Sequence, residues 1–582
     1  KNPYQLINDI EGIGFERADI IAKRLGFDDN HPLRIKAMII YLYNLMGINY
    51  GHTFLYYDQL LEYLENALNK NKKLVEISRI RELLDELIDD RVFILDQDVV
   101  KLQAIDYSEI NIVEKIDELS KVETEKVDIN EVDKLINLYE SIHDISYTTR
   151  QRKAIIKAVE SNLFILTGGP GTGKTTVIKG IVYVYCKYHQ IPILYNNPLF
   201  EVKLIAPTGR AAKRMNETTS LYSETIHRFL GYSFDGKFIH NKDNLVDAKV
   251  VIVDEASMID VFLASQLFQA MPKDVKIIIV GDEDQLPSVG PGQVLKDLIE
   301  SDMIDYIKLD TIHRQANDSN IIKLAHSINH QEIPHDITQV YDDRLFVEEK
   351  ASHFGTRLIS SLHYLVNQGY DLYEDIQVLI PMYRGQTGID AVNKLIQNEF
   401  NKNTDRVIEH GDREFRIGDK VIQLSNQIED NIMNGDQGVI AGIPSDDLVI
   451  VDFLGNEVAY KKGDLINLKH AYAMSIHKSQ GSEYKVVVMP IFRSYSIMLK
   501  RKLLYTGITR SKEKLILMGD LASFRYGIEK TEAERQSVLK DRIIDKITTI
   551  VTPVKKSSAI YIKDKDIPFE TLGVPMNDGI TP

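Results

Sequence analysis

The chain has 582 residues, 85 of them acidic and 70 basic, for a formal net charge of −15. That length exceeds what one hydrophobic core can organise and implies roughly four folded units, while the acidic balance excludes a uniformly basic surface, so a nucleic acid would have to be held in a locally positive cleft. A single cysteine, Cys186, excludes an internal disulfide framework and a cysteine-cluster metal site.

No apolar run is long enough to cross a bilayer and no signal-peptide pattern opens the chain, so a cytoplasmic protein with no membrane partner is expected. The chain starts at Lys1 without a methionine, which leads to the expectation of a missing amino-terminal segment. The stretch Ile10-Glu11-Gly12-Ile13-Gly14-Phe15, followed by Ala18, Ile20-Ile21-Ala22 and Leu25-Gly26, reads as two short helices around a Gly-X-Gly turn. Such a hairpin either offers backbone N–H groups to a DNA phosphate or serves only as packing, and the residues leave both open. Ile80, Leu83, Leu84, Leu87 and Ile88 have helical spacing, and Val92–Leu95 and Val99–Leu102 read as strands around Asp96-Gln97-Asp98. Helix plus hairpin suggests a winged-helix unit. Its helix carries Arg79 and Arg81 among several acids, so packing is as good a reading as DNA contact. From Glu114 to Glu140 alternating charges predict helical linkers.

The apolar run Leu163-Phe164-Ile165-Leu166 then leads into Gly168-Gly169-Pro170-Gly171-Thr172-Gly173-Lys174-Thr175. A buried strand that opens through glycines into a helix can aim successive N–H groups at anionic oxygens, with Lys174 as cation and the Thr175 hydroxyl as a magnesium ligand. The pattern marks a nucleotide triphosphatase and names no substrate by itself. Further on, Tyr232 to Ile239 contains Asp235-Gly236 at its centre and predicts a β-hairpin, in which Phe234 or Phe238 would stack on a partner or pack the hairpin down.

Val250-Val251-Ile252-Val253 reads as a buried parallel strand delivering Asp254 and Glu255 at its end, the first to hold the metal and the second to orient or deprotonate a water. Lys276–Val280 forms another such strand, ending in Gly281-Asp282-Glu283-Asp284-Gln285, where Gln285 can sense a terminal phosphate through its neutral amide. Short β-like runs from about Glu409 to Asn467 suggest an inserted barrel. Beyond Thr531 a charged helix leads into a tail bearing Pro and Gly.

These blocks, with Ala206-Pro207-Thr208-Gly209-Arg210-Ala211-Ala212, Thr225-Ile226-His227-Arg228, Ile312-His313-Arg314-Gln315, Asn434-Gly435-Asp436-Gln437-Gly438, Ser475-Ile476-His477-Lys478-Ser479-Gln480-Gly481-Ser482-Glu483 and Tyr505-Thr506-Gly507-Ile508-Thr509-Arg510, resemble in order the motor of superfamily 1 helicases. The likeness is to RecD-like enzymes and runs from about Tyr147 to Gly519. The front end, with Asn2-Pro3-Tyr4 and Gly12-Ile13-Gly14, further resembles the long RecD-like ATP-dependent helicases.

The resemblance implies an α/β protein in which two RecA-like cores grip ATP and magnesium and walk 5′→3′ on single-stranded DNA. The expected organisation is a helix-hairpin-helix region over 1–50, a winged-helix-like and linker region over 51–140, a first core over 141–300 with a β-hairpin pin at about 229–248, a second core over 301–408 and 468–540, a small SH3-type β-barrel over 409–467, and a tail over 541–582. Catalysis falls to Lys174, Glu255, Gln285 and two arginine fingers, Arg314 and Arg510. Nucleotide contacts fall to Gly169, Gly171, Thr172, Gly173, Lys174, Thr175 and Thr176, with Gln151 reading the adenine edge; Thr175 and Asp254 take the metal.

The implied strand contacts are Thr208, Gly209 and Arg210 at a helix start, with Lys213 and Arg214 extending a positive face, then His227 and Arg228, then His477, Lys478 and Ser479. Ser475 stands where many relatives have threonine. Single-stranded DNA and 5′-tailed duplex are the implied partners, repair or replication proteins further ones, and a monomer is expected. Two other readings are a DNA-stimulated ATPase clamp that does not separate strands and a motor subunit of a helicase–nuclease assembly.

Overall fold

The computed structural model describes residues 2–9, 13–69, 75–233, 236–310, 319–403, 405–427, 429–430 and 432–548. The chain divides into two compact units, Lys1–Val113 with the segment from Arg535 onward, and Glu114–Glu534.

In the first unit the helix Phe15–Arg24 starts at an extended Gly14 and buries Phe15, Ala18 and Ala22 against Tyr4. Asp19 on this helix accepts from the Tyr4 hydroxyl at 2.8 Å and from Arg34 Nε at 2.8 Å. Burial alone would raise its carboxyl; the bonds from Arg34 and Tyr4 outweigh it and hold the group below its ordinary range. Gly12, in the expected hairpin turn, lies outside the described residues. The helix Ile77–Asp89 buries Ile80, Leu83, Leu84 and Leu87 on one face. Phe93–Asp96 and Val99–Leu102 pair antiparallel, with Gln97 at φ 57° in the turn, and Leu55–Tyr56 adds a third strand.

The helix Leu539–Thr548, expected to lead into a tail, is built into this unit. Thr53 N donates to Gln536 O at 2.8 Å, and Arg542 bonds Asp106 and lies 3.6 Å from Glu109. A pairing across 436 residues of sequence leaves no local trace.

The second unit holds two parallel sheets. The first runs Ser223–Thr225, Val202–Ala206, Val250–Val253, Lys276–Gly281, Leu163–Gly168, Asp305–Leu309, every pair parallel. Its central strands read as unbroken apolar runs because helices cover both faces, and Leu163–Gly168 and Val250–Val253 are buried throughout. The second sheet runs Arg344–Glu348, Ser511–Gly519, Tyr484–Ile491, Ile376–Leu379, Ala473–Met474, again all parallel.

The expected pin is reduced. Among the described residues of 229–248 there are two isolated bridges, Tyr232 with Phe238 and Asn241 with Asn244, and no ladder; Phe234 and Asp235 lie outside the described residues. Asn241 Nδ2 donates to Phe238 O and Ile239 O, and Asn244 Nδ2 to Ile239 O, so side-chain amides take carbonyls that a longer ladder would use.

The inserted barrel is a five-stranded antiparallel sheet in the order Glu457–Lys461, Leu448–Asp452, Gln437–Ser445, Lys420–Gln423, Leu468–His470, flanked by the hairpin Val407–His410 and Arg413–Arg416. Its own core includes Phe415, Val421, Val449, Val451 and Tyr460. One carboxylate ties it to the second core. Asp419, fully buried, accepts from Gln397 Nε2 at 2.7 Å, Asn401 Nδ2 at 2.8 Å, Arg416 N at 2.7 Å and the Tyr472 hydroxyl at 3.1 Å, with His470 Nε2 at 3.2 Å. Burial would raise its carboxyl, but this ring of donors led by His470 holds it below the ordinary range. Removing it would orphan several buried donors at once. Asp419→Ala is therefore expected to lower stability by about 3 kcal/mol, read as a fall in denaturant midpoint. Since the folded-state group titrates below its unfolded value, the wild-type advantage holds at neutral pH and is lost as pH falls through that depressed value.

Candidate functional site

The phosphate loop leaves the sheet at Gly168 and closes on the helix Lys174–Tyr188, with Gly171 at φ 71° and Gly173 at φ 84°. Those positive angles are the conformational reason for glycine at both positions. Lys174 Nζ donates to Gly168 O at 2.6 Å and Gly169 O at 3.1 Å, so the ammonium lies across the loop's mouth. The Thr172 hydroxyl donates to Gly169 O at 2.8 Å, and the Thr176 carbonyl accepts from the Tyr147 hydroxyl at 2.9 Å. Gln151 is 1% exposed and both ends of its amide are engaged: Nε2 donates to Thr172 O at 2.9 Å and Oε1 accepts from Thr148 N at 2.9 Å. In this position it braces the loop, and meeting adenine would require one of those bonds to be exchanged.

Asp254 ends the strand Val250–Val253, and its Oδ1 accepts from Glu255 N at 2.8 Å. Burial, then the neighbouring Glu255, push the Asp254 carboxyl up to about 6, against the pull of Arg214 and Lys174. Glu255 adopts φ 52°, ψ 39°, a left-handed conformation uncommon for a residue with a Cβ and maintained only where the surroundings impose it. Arg214 lies 3.6 Å from Glu255 Oε1 and also bonds Glu483. This corrects the expected positive face: Lys213 is exposed, but Arg214 turns inward to the carboxylates.

The second core meets this site through the helix Arg501–Ile508. Arg510, 2% exposed, donates to Gln285 Oε1 at 2.8 Å, Thr506 O at 3.1 Å and Ser482 O at 3.2 Å. Gln285 Nε2 donates to Asp282 Oδ2 at 3.1 Å, and the Tyr505 hydroxyl donates to the same oxygen at 2.9 Å. Leu286 N donates to the Thr506 hydroxyl at 2.9 Å, and Lys502 Nζ to Glu283 O at 2.6 Å. Tyr505, Thr506, Lys502 and Asp282 were missed as site residues. The motif blocks containing three of them were the only available signal. Arg314 lies outside the described residues.

The residues expected along a strand fall into two sets. Thr208 caps the helix Gly209–Thr219 through Ala211 N at 3.3 Å, and Arg210 reaches the second core, donating to Ser482 Oγ at 3.1 Å and the Tyr484 hydroxyl at 2.9 Å. Arg210 Nη2 is buried with no hydrogen-bond partner among the described residues. Burial, with Lys469 and Arg210 nearby, lowers the Lys478 ammonium to about 8, and burial with Arg210 lowers Lys420 to about 7. Arg210 acts on both lysines and Lys469 on Lys478, so positive charge is concentrated locally in a chain of net charge −15.

The other set is less open. The Ser479 side chain is buried, its hydroxyl donating to Ile476 O at 2.7 Å. Burial lowers the His477 and His227 rings, favouring the neutral form. His227 packs on Tyr232 and Phe238 at ring separations of 5.5 and 5.7 Å, so Phe238 holds its turn onto the core. Arg228 is half-exposed, 3.7 Å from Glu224.

Four family profiles match the chain: ATP-dependent RecD2 DNA helicase HHH domain over residues 1–54, AAA domain over 151–291, ATP-dependent RecD-like DNA helicase SH3 domain over 392–453, and UvrD-like helicase C-terminal domain over 470–518. The chain is 31% identical over 547 residues to the ATP-dependent RecD2 DNA helicase of Deinococcus radiodurans, a match covering 92% of this chain and 72% of that protein. It is 28% identical over 431 residues to the RecBCD enzyme subunit RecD of Mycolicibacterium smegmatis, covering 68% and 74%. Among solved structures, the Pif1 helicase from Candida albicans matches with a TM-score of 0.40 at 16% identity, over 70% of this chain and all of that one.

The lowered ammonium of Lys478 sets a pH test. It is charged below about 8 and neutral above, and a phosphate beside it would favour the charged form. Affinity for a deoxythymidine oligonucleotide is expected to weaken about tenfold between pH 7 and pH 9, and Lys478→Arg to flatten that fall, both read by fluorescence anisotropy.

Proposed function

Because the chain belongs to the ATP-dependent RecD2 DNA helicase family, it is an ATP-dependent DNA helicase, and we propose that it steps 5′→3′ along single-stranded DNA and opens 5′-tailed duplex in DNA repair, recombination or replication. The observation that carries this reading is the bond from Arg510 on the second core to Gln285 on the first, beside the phosphate loop. A phosphate that draws Arg510 toward itself must break that bond, and the two cores then shift against each other.

In the reaction, the loop N–H groups and Lys174 hold the β- and γ-phosphates in place of the Gly168 and Gly169 carbonyls that Lys174 now contacts. Thr175 and Asp254 would hold magnesium: both are hard oxygen donors, and an Asp254 carboxyl pushed up by burial and Glu255 suits a divalent cation. Such an ion, when bound, neutralises charge developing on the phosphate oxygens. Glu255 accepts the proton of the attacking water or orients it, and Gln285 reports the terminal phosphate to Arg510. On the strand side, Thr208, Gly209, Arg210 and Lys478 take phosphate oxygens, with the unpartnered Nη2 of Arg210 as the strongest support. The match through the front end, over residues 1–54, favours a free-standing monomer over a subunit of a helicase–nuclease assembly.

Strand displacement on duplexes with either a 5′ or a 3′ single-stranded tail tests activity and polarity together; unwinding confined to the 3′-tailed substrate would overturn the proposed direction. Lys174→Ala is expected to abolish hydrolysis while leaving oligonucleotide affinity nearly unchanged. Arg210→Ala is expected to weaken strand binding and reduce the salt slope by about one, measured as dissociation constants across a salt series.

A further inference from the structure

Arg210 and Arg214 sit one turn apart on the helix Gly209–Thr219, so they share a face. That face is pressed against the loop 481–484 of the second core: a Cβ added at Gly481 would lie 3.0 Å from both Ala211 Cβ and Thr208 Oγ1. Arg210 reaches Ser482 and Tyr484 on the far side of this seam. Arg214 does something different. Its guanidinium lies between two carboxylates that belong to different cores, bonded to Glu483 through Nη2 and 3.6 Å from Glu255 through Nη1. Glu483 is in turn held at 3.1 Å by Lys512 of its own core.

We propose that Arg214 is a positioning residue that couples the strand-binding seam to hydrolysis by dividing its charge between Glu483 and Glu255. The proposal rests on the reading of Glu255 as the carboxylate that handles the attacking water. A carboxylate oxygen that faces a guanidinium at 3.6 Å is less free to turn toward a water. A strand seated along Thr208, Gly209 and Arg210 displaces the loop 481–484, Glu483 draws Arg214 with it, and Glu255 is released to turn toward the water. Without a strand the cation stays near Glu255 and turnover is held down.

The experiment is steady-state ATP hydrolysis by the full chain, with and without saturating deoxythymidine oligonucleotide. Arg214→Ala leaves Glu255 permanently unpaired, so the strand-free rate is expected to rise and the stimulation ratio to fall by about fivefold or more. Glu483→Gln removes the competing carboxylate, so the strand-saturated rate is expected to fall and the ratio with it. The two effects reach the same ratio from opposite sides. The double variant is expected to match Arg214→Ala alone, because no guanidinium is left for Glu483 to move. Arg214→Lys should regain part of the stimulation, and in every case the change should lie in kcat rather than KM.

An unchanged ratio in both single variants overturns the coupling, as does an equal loss of both rates in Arg214→Ala, or a loss of oligonucleotide affinity that accounts for the change. Glu255→Gln separates the two layers. If it abolishes turnover while the Arg214 variants keep their stimulation, the coupling alone fails; if it retains turnover, the underlying reading of Glu255 fails.

Discussion

A buried guanidinium has to be matched donor by donor, and that demand at Arg510 organises the seam between the two cores. With 2% of its surface exposed, Arg510 finds acceptors in Thr506 O and Ser482 O of its own core and Gln285 Oε1 of the other. The third acceptor can be supplied only if the helix Arg501–Ile508 sits close to the loop 282–286. The same docking places the Tyr505 hydroxyl on Asp282 and the Thr506 hydroxyl on Leu286 N. One charge therefore aligns a set of weaker bonds, all of them beside the phosphate loop. Exchange of Gln285 for a phosphate oxygen would satisfy the guanidinium equally well, so the seam can change state without leaving a buried charge unmatched.

Acidic composition and a function on DNA are reconciled by placement. The net charge of −15 is spread over the whole chain, whereas Lys420 and Lys478 have their proton affinity lowered by burial first and then by neighbouring cations, Arg210 for both and Lys469 for Lys478. Cations gathered at such cost in mutual repulsion are relieved by a polyanion, and the relief is largest where water is already excluded. The barrel contributes Lys420 to this group, and the Asp419 network fixes the barrel on its core. The barrel's attachment and this local positive charge thus depend on consecutive residues, Asp419 and Lys420, where the strand Lys420–Gln423 begins.

Much of the architecture was legible before any coordinates. Leu163–Leu166, Val250–Val253 and Lys276–Val280 read as buried parallel strands because a strand covered on both faces has no polar side to show, and each ends in a chemistry-bearing loop. The barrel could be read from short alternating runs, and Asp419 beside it could not, since a buried aspartate looks like any turn residue until its five partners are in place. Gln151, Ser479 and Arg214 show the same limit at the site. Gln151 and Ser479 were given ligand-facing roles from their motifs and Arg214 a place on a positive face, and each has a side chain engaged by protein: Gln151 on Thr172 O, Ser479 on Ile476 O, Arg214 on two carboxylates.

The chain by itself determined the local chemistry: a glycine loop that can cradle phosphate, carboxylates at a strand end, and patterns that set the buried strands of the first sheet and a β insert. These depend on neighbours within a few residues, where backbone geometry and side-chain alternation translate directly into structure. Only the tertiary structure decided which arginine meets which carboxylate across the seam, that the helix Leu539–Thr548 returns to the amino-terminal unit, and that the turn after Phe229 stays a pair of bridges held by asparagine side chains. The first two turn on contacts between residues tens to hundreds of positions apart, and the third on short-range bonds from Asn241 and Asn244 that take the place of a ladder. Their energy comes from burial and the matching of polar groups, neither of which leaves a periodic mark in the sequence.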